Sequence, residues 1–222
     1  AITGAEVTLE SGHHLTLLDF ALAERGFSVP VGRIEYLTLG PMSFEEFLLA
    51  LDRAGLQRFL CHYSVGREVP EAIHGELLRL LRQFLVIGGM PASVAAFIGP
   101  GGHREGEAER QAILSTYRED FAKYGKRADQ RRIEKVLAKI PLLVGGKFKY
   151  SSVDREDRSR ELGRALDMLF LARVAHRVRH TAANGVPLGA EADDRSFKVL
   201  FMDVGLLCRS CGLGVLDVEG GR

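Results

Sequence analysis

Apolar positions in the second half of the chain switch from helical to strand spacing. Ile133, Val136, Leu137 and Ile140 recur at helical intervals and Pro141 closes the run, so a helix is predicted there. After a short apolar-aromatic piece, FKYSS from Phe148, the residues Leu162, Ala165, Leu166 and Leu169 again share one helical face. Val174, His176, Val178 and His180 then alternate as strand residues do. A second strand is predicted over Phe197–Met202, beyond a loop holding Asn184-Gly185, Pro187 and Gly189, and the two runs can pair antiparallel across that connection. A helix packed on such a hairpin has the outline of a winged helix.

Upstream, the pattern is helical with short breaks from residue 53 to 125. Leu77, Leu80, Leu81, Phe84 and Leu85 make an apolar stripe, which Gly88-Gly89-Met90-Pro91 ends while opening the next helix at a sharp angle. Ile113, Tyr117, Phe121 and Tyr124 follow at helical spacing and read as core. Nearer the start, Ile34 and Tyr36 suit a strand broken by Gly40-Pro41. Ser43 with Glu46 forms a capping box before Phe44, Phe47, Leu48 and Leu51.

Several of these blocks resemble one family. The strings LLDFALAE, VPVGRIEYLTLGPMSFEEFLLAL, FLVIGGMPASVAAFI, DFAKYGKR, IEKVLAKIP, FKYSSVDREDRSRELGRALDML and ADDRSFKVLFMDVGLL are similar, in this order, to prokaryotic AAA-type P-loop ATPases with a C-terminal domain of unknown function. In that family a winged helix is followed by a nuclease-like region, which the Gly-rich segment Cys208–Arg222 does not resemble. The resemblance implies an α+β chain, mainly α with small β, in four parts. Residues 1–52 are the end of an ATPase core, 53–126 a helical domain, 127–207 a winged-helix-like domain and 208–222 a tail.

It also implies ATP and Mg as cofactors of the intact protein. Thr16 would correspond to the family's polar sensor residue, usually Ser, and Arg33 to the basic residue nearest the phosphates, where it could stabilise charge on a transferred phosphoryl group. The plainer alternatives are a helix-start threonine and a solvated arginine. No G-x-x-x-x-G-K-[ST] occurs anywhere: Gly146-Lys147 is followed by Phe148, and Gly88-Gly89 leads into Met-Pro rather than a Lys-Ser or Lys-Thr helix start. The chain is therefore expected to hold trailing parts of such an ATPase, without a complete ATP site and without catalysis of its own.

Composition narrows the partners. With 222 residues and 46% hydrophobic content the chain can bury a sizeable core, and 30 basic against 29 acidic residues confine any nucleic-acid surface to a local patch. Three cysteines make no disulfide framework and fit a reducing cytoplasm. The single CxxC pair, Cys208 and Cys211, lacks the further ligands a zinc site needs, so no metal site is expected. No apolar run reaches membrane-spanning length, and no membrane partner is expected.

The patch itself is predicted around the second helix of the winged-helix outline. Arg155, Arg158, Arg160 and Arg164 lie at its start and outer side, while Arg173, Arg177 and Arg179 share one face of the following strand. Such a surface suits duplex DNA phosphates. The competing expectation is a protein partner or self-association, with Glu156, Asp157, Glu161 and Asp167 pairing those arginines into a solvated, salt-bridged face.

Overall fold

Helices dominate the computed structural model, which describes residues 6–8, 14–16, 39–121, 127–214 and Asp217, and two small two-stranded sheets make the chain an α+β protein. Arg33, the expected strand at Ile34–Tyr36 and Tyr124 lie outside the described residues. Strands β1 (Glu6–Thr8) and β2 (His14–Thr16) pair antiparallel, with Glu6 opposite Thr16. The chain divides into two compact units, one of residues 40–115, 140–145 and 200–222, the other of residues 1–39, 116–139 and 146–199.

The first unit is helical. Ser43 opens α1 (Phe44–Ala50) with a complete capping box: its N–H donates to Glu46 Oε2 at 2.7 Å and its hydroxyl accepts the Glu46 N–H at 3.3 Å. After α2 (Ala54–Cys61), α3 (Glu71–Ile87) ends at Gly88, whose φ of 77° is the left-handed geometry that glycine adopts without strain. Pro91 then starts α4 (Pro91–Ile98) at its first position, followed by α5 (Gly102–Phe121). The core holds Phe47, Ile87 and Val94 in one cluster and Leu48, Leu77 and Leu80 in another. Leu85 is instead 40% exposed, because the helix turns Val86 and Ile87 inward at its end. From Thr116 on, α5 belongs to the other unit; of the predicted stripe there Phe121 is buried and Tyr117 half-buried, and Ile113 before it is half-buried too.

The last helix, α9 (Val204–Ser210), belongs to this unit. The sequence boundary at Leu207 cuts through it, assigning half to the winged-helix-like domain and half to a tail. Asp203 explains the difference: it caps α9 by accepting the Leu206 N–H at 2.8 Å and also accepts the Gly89 N–H at 2.7 Å. Gly205 permits the close approach, since a Cβ there would lie 2.3 Å from the Ile87 carbonyl oxygen. Nearby, buried Arg110 donates to the Ser93 hydroxyl at 3.2 Å, which donates to the Ile87 carbonyl at 3.1 Å. Desolvation lowers the Arg110 pKa.

The second unit contains most of α6 (Arg127–Leu143), then α7 (Tyr150–Val153), α8 (Ser159–Leu171), β3 (Ala175–Thr181), a 3₁₀ turn over Leu188–Glu191 and most of β4 (Ala192–Phe201). Pro141 does not stop α6, which runs on to Leu143. A proline this near the end forfeits the bond to the Leu137 carbonyl without disturbing a long helix beyond it. Strands β3 and β4 form the second sheet. Phe148 adds a short extended contact, its N–H donating to the Phe197 carbonyl at 2.9 Å with the two rings stacked at 5.7 Å. Leu162, Ala165, Leu166 and Leu169 of α8 are buried, as are Val174, Ala175, Phe197 and Val199.

On β3 the inward face is the one carrying Ala175 and Arg177, and Val178 is 45% exposed. The Arg177 guanidinium lies 4.7 Å from the Phe170 ring centroid and 5.0 Å from that of Phe197, and donates to Asp167 Oδ1 at 2.7 Å. A flat, weakly hydrated cation over aromatic faces can occupy an inward position that an ammonium would not tolerate as readily. Among the described residues no helix is long and apolar enough to cross a membrane.

Candidate nucleic-acid interface

The arginine-rich turn before α8 is held by an acidic frame. The Asp154 carboxylate accepts the backbone N–H groups of Glu156 at 2.7 Å and Asp157 at 3.2 Å, which folds the loop back on itself, and it takes a hydrogen bond from Lys135 Nζ. Asp157 accepts from the same Lys135 at 2.8 Å and from Arg132 Nε at 3.1 Å. The Lys135 ammonium and those two N–H groups hold the Asp154 carboxyl down at about 2. Lys135, then Arg132, likewise lower Asp157, while Asp154 and Asp157 raise Lys135. Two cations on α6 and two aspartates in the loop thus fix where α8 begins.

Apart from Glu156, which is exposed and makes no ion pair with a described residue, the acids of this region have partners that decide what the arginines are free to do. Asp157 is committed to α6, Glu161 pairs with Arg164 at 3.4 Å and Arg132 at 3.8 Å, and Asp167 holds Arg177. Arg155, Arg158 and Arg160 are exposed and make no ion pair with a described residue. Arg158 stands at the N-cap of α8 without a side-chain cap. Three guanidinium groups therefore face solvent at the end of a helix whose dipole also favours anions.

The remaining predicted positions separate. Arg164 is exposed but paired, Arg179 pairs with Asp194 at 3.0 Å, and Arg177 is drawn inward between two rings. The strand face imagined for Arg173, Arg177 and Arg179 is not one open surface: Arg173, at φ 57°, sits in the turn before β3. Thr16 is the last residue of β2, opposite Glu6, and Arg33 lies outside the described residues.

Sequence reasoning missed Lys135 and Arg132 as the partners of the loop acids. The available signal was the Asp154–Asp157 spacing, matched by the basic positions Arg132 and Lys135 one turn apart on α6. It also passed over Val186 and Leu188, which stand out from the hairpin loop 96% and 57% exposed.

Gly88 and Gly89 form no phosphate cradle. The Gly89 N–H is already given to Asp203, a Cβ on Gly88 would meet the same carboxylate at 2.3 Å, and one on Gly89 would meet the Met42 carbonyl oxygen at 2.1 Å. These glycines pack protein against protein. Among the described residues no three His, Cys, Asp or Glu side chains gather as metal ligands.

No curated protein and no solved structure matches the chain. A family match does cover residues 78–217, more than half of the chain and parts of both units. The chain belongs to the family described as a domain of unknown function (DUF8612).

Proposed function

We propose that residues 127–199 are a winged helix that binds duplex DNA, gripping backbone phosphates with Arg155, Arg158 and Arg160 at the start of α8. One observation carries this reading over a salt-bridged protein scaffold: of the nearby acids, Asp157, Glu161 and Asp167 are bonded to Arg132, Lys135, Arg164 and Arg177, and exposed Glu156 makes no ion pair with Arg155, Arg158 or Arg160. An exposed guanidinium without a carboxylate partner is suited to phosphate oxygens, which it can engage in paired hydrogen bonds. A net charge of +1 leaves little long-range attraction, so binding would depend on this patch.

Titration of duplex DNA at several salt concentrations tests the proposal, with the whole chain and an Arg158→Glu, Arg160→Glu variant. Each phosphate contact contributes a slope of about −0.9 in log K against log salt, so losing two should flatten the slope by roughly 2. Equal, weak binding by both proteins at low salt would sink the DNA reading and leave a protein-binding scaffold.

The accompanying proposal for the intact protein is an AAA-type ATPase in the cytoplasm, with ATP and Mg held by parts other than the described residues. It rests on the order of the sequence blocks between Thr16 and Leu207. Free Cys61, Cys208 and Cys211, the first of them exposed, suit a reducing compartment. ATP hydrolysis by this chain above the rate of an Arg33→Ala variant would contradict the assignment of the nucleotide site elsewhere.

A further inference from the structure

The hairpin loop between β3 and β4 is built unlike a phosphate-binding wing. From Ala182 to Glu191 it contains no Lys or Arg, and its one charged side chain, Glu191, is turned back to accept from the Asn184 N–H at 3.2 Å and the Asn184 Nδ2 at 3.4 Å. The Thr181 hydroxyl braces the same loop, donating to the Leu188 carbonyl at 2.9 Å and accepting the Ala183 N–H at 3.2 Å. What this bracing holds out to solvent is apolar: Val186, 96% exposed, and Leu188, 57% exposed, on either side of Pro187.

The contacts of β3 with α8 begin at the C-terminal end of the helix and run back along it. The Val174 N–H donates to the Leu169 carbonyl at 3.0 Å, and Arg177 reaches Asp167, so β3 retraces α8 from its C-terminal end. At about 1.5 Å per helical residue and 3.3 Å per strand residue, the runs from Asp167 back to Arg158 and from Arg177 on to Thr181 each cover roughly 13 Å. A strand that kept this antiparallel course would bring Thr181 level with Arg158, with the loop beyond it.

We propose that Val186, Pro187 and Leu188 form an apolar wedge that enters the minor groove of the bound duplex and partly unstacks a base step, bending the DNA. This rests on the DNA reading above and adds the deformation to it. An uncharged tip gains nothing from phosphates, whereas apolar side chains are the groups that replace base stacking when a groove-bound protein kinks a duplex. The step entered should be a flexible pyrimidine–purine step, where unstacking costs least.

The experiment uses the whole chain and duplexes of about 20–30 base pairs, carrying 2-aminopurine at a central TA step and a fluorophore pair at the ends. Wild type should raise 2-aminopurine emission several-fold and shorten the end-to-end distance. A Val186→Ser, Leu188→Ser variant, unchanged in charge, should keep the salt slope of binding and lose both signals. Binding with a steep salt slope that leaves the duplex straight, or equal bending by wild type and variant, overturns the wedge while the arginine contacts stand. A wild type that binds no duplex overturns both. Sedimentation of the two proteins without DNA completes the test: a dimer dissociated by the serine substitutions, with DNA bending unaltered, assigns the tip to a second copy of the chain and overturns the wedge.

Discussion

The Asp203 carboxylate accepts the Gly89 N–H at 2.7 Å while capping its own helix through the Leu206 N–H at 2.8 Å. One side chain therefore joins the end of α3 to the start of α9. Removing it by Asp203→Ala loses a cap, about 1 kcal/mol, and leaves the Gly89 N–H buried without a partner, about 1–3 kcal/mol more. Burial pushes the Asp203 carboxyl up despite its backbone donors, so the uncharged Asp203→Asn should cost less than the alanine. Urea unfolding midpoints measure both. A midpoint unmoved by Asp203→Ala would show that α9 is held by its apolar contacts alone.

Acid stability should depend on Asp154 in the opposite sense. Lys135, with the Glu156 and Asp157 N–H groups, lowers its pKa from the ordinary 3.8 to about 2 in the folded chain. A depressed carboxyl contributes stability that is fully present above the unfolded value and is lost as pH falls through the folded one. Unfolding midpoints recorded from pH 5 down to pH 2 should therefore drop less steeply for Asp154→Asn than for wild type, from a lower starting level. Asp203, raised by burial, contributes in reverse, its share fading as pH climbs past the ordinary value. Identical pH slopes for wild type and Asp154→Asn would mean that the Lys135 contact is not maintained in solution.

How much could be read from sequence depended on whether the deciding contact was local. The Ser43–Glu46 box, the Gly88 to Pro91 break and the buried face of α8 all came through, because caps, glycine dihedrals and helical period act within a few residues. The placement of α9 did not, since it depends on a carboxylate finding a backbone N–H far back in the chain. The same holds for the interface. Seven arginines were visible in the sequence, but which were free was decided by Arg132 and Lys135 on another helix and by the rings of Phe170 and Phe197. Period alone also chose the wrong face of β3, where an arginine lies inward and Val178 is exposed.

Leu166 provides the sharpest check on the register of α8. It is fully buried, whereas its neighbour Asp167 is 60% exposed at the side chain and Leu171, on the same helix, is 67% exposed. Truncating a leucine in a packed core costs about 2–5 kcal/mol, while surface changes usually stay within about 0.5 kcal/mol. Leu166→Ala should accordingly shift the unfolding midpoint strongly and Leu171→Ala hardly at all. Leu166→Asp goes further, burying a carboxylate with no cation placed to meet it, and should abolish the cooperative transition rather than shift it. The ordering of the three variants is the prediction. If Leu171→Ala proved the more damaging alanine, or if Leu166→Asp melted like wild type, the helix would be turned about its axis, and the exposed positions assigned to Arg160 and Arg164 would be wrong with it.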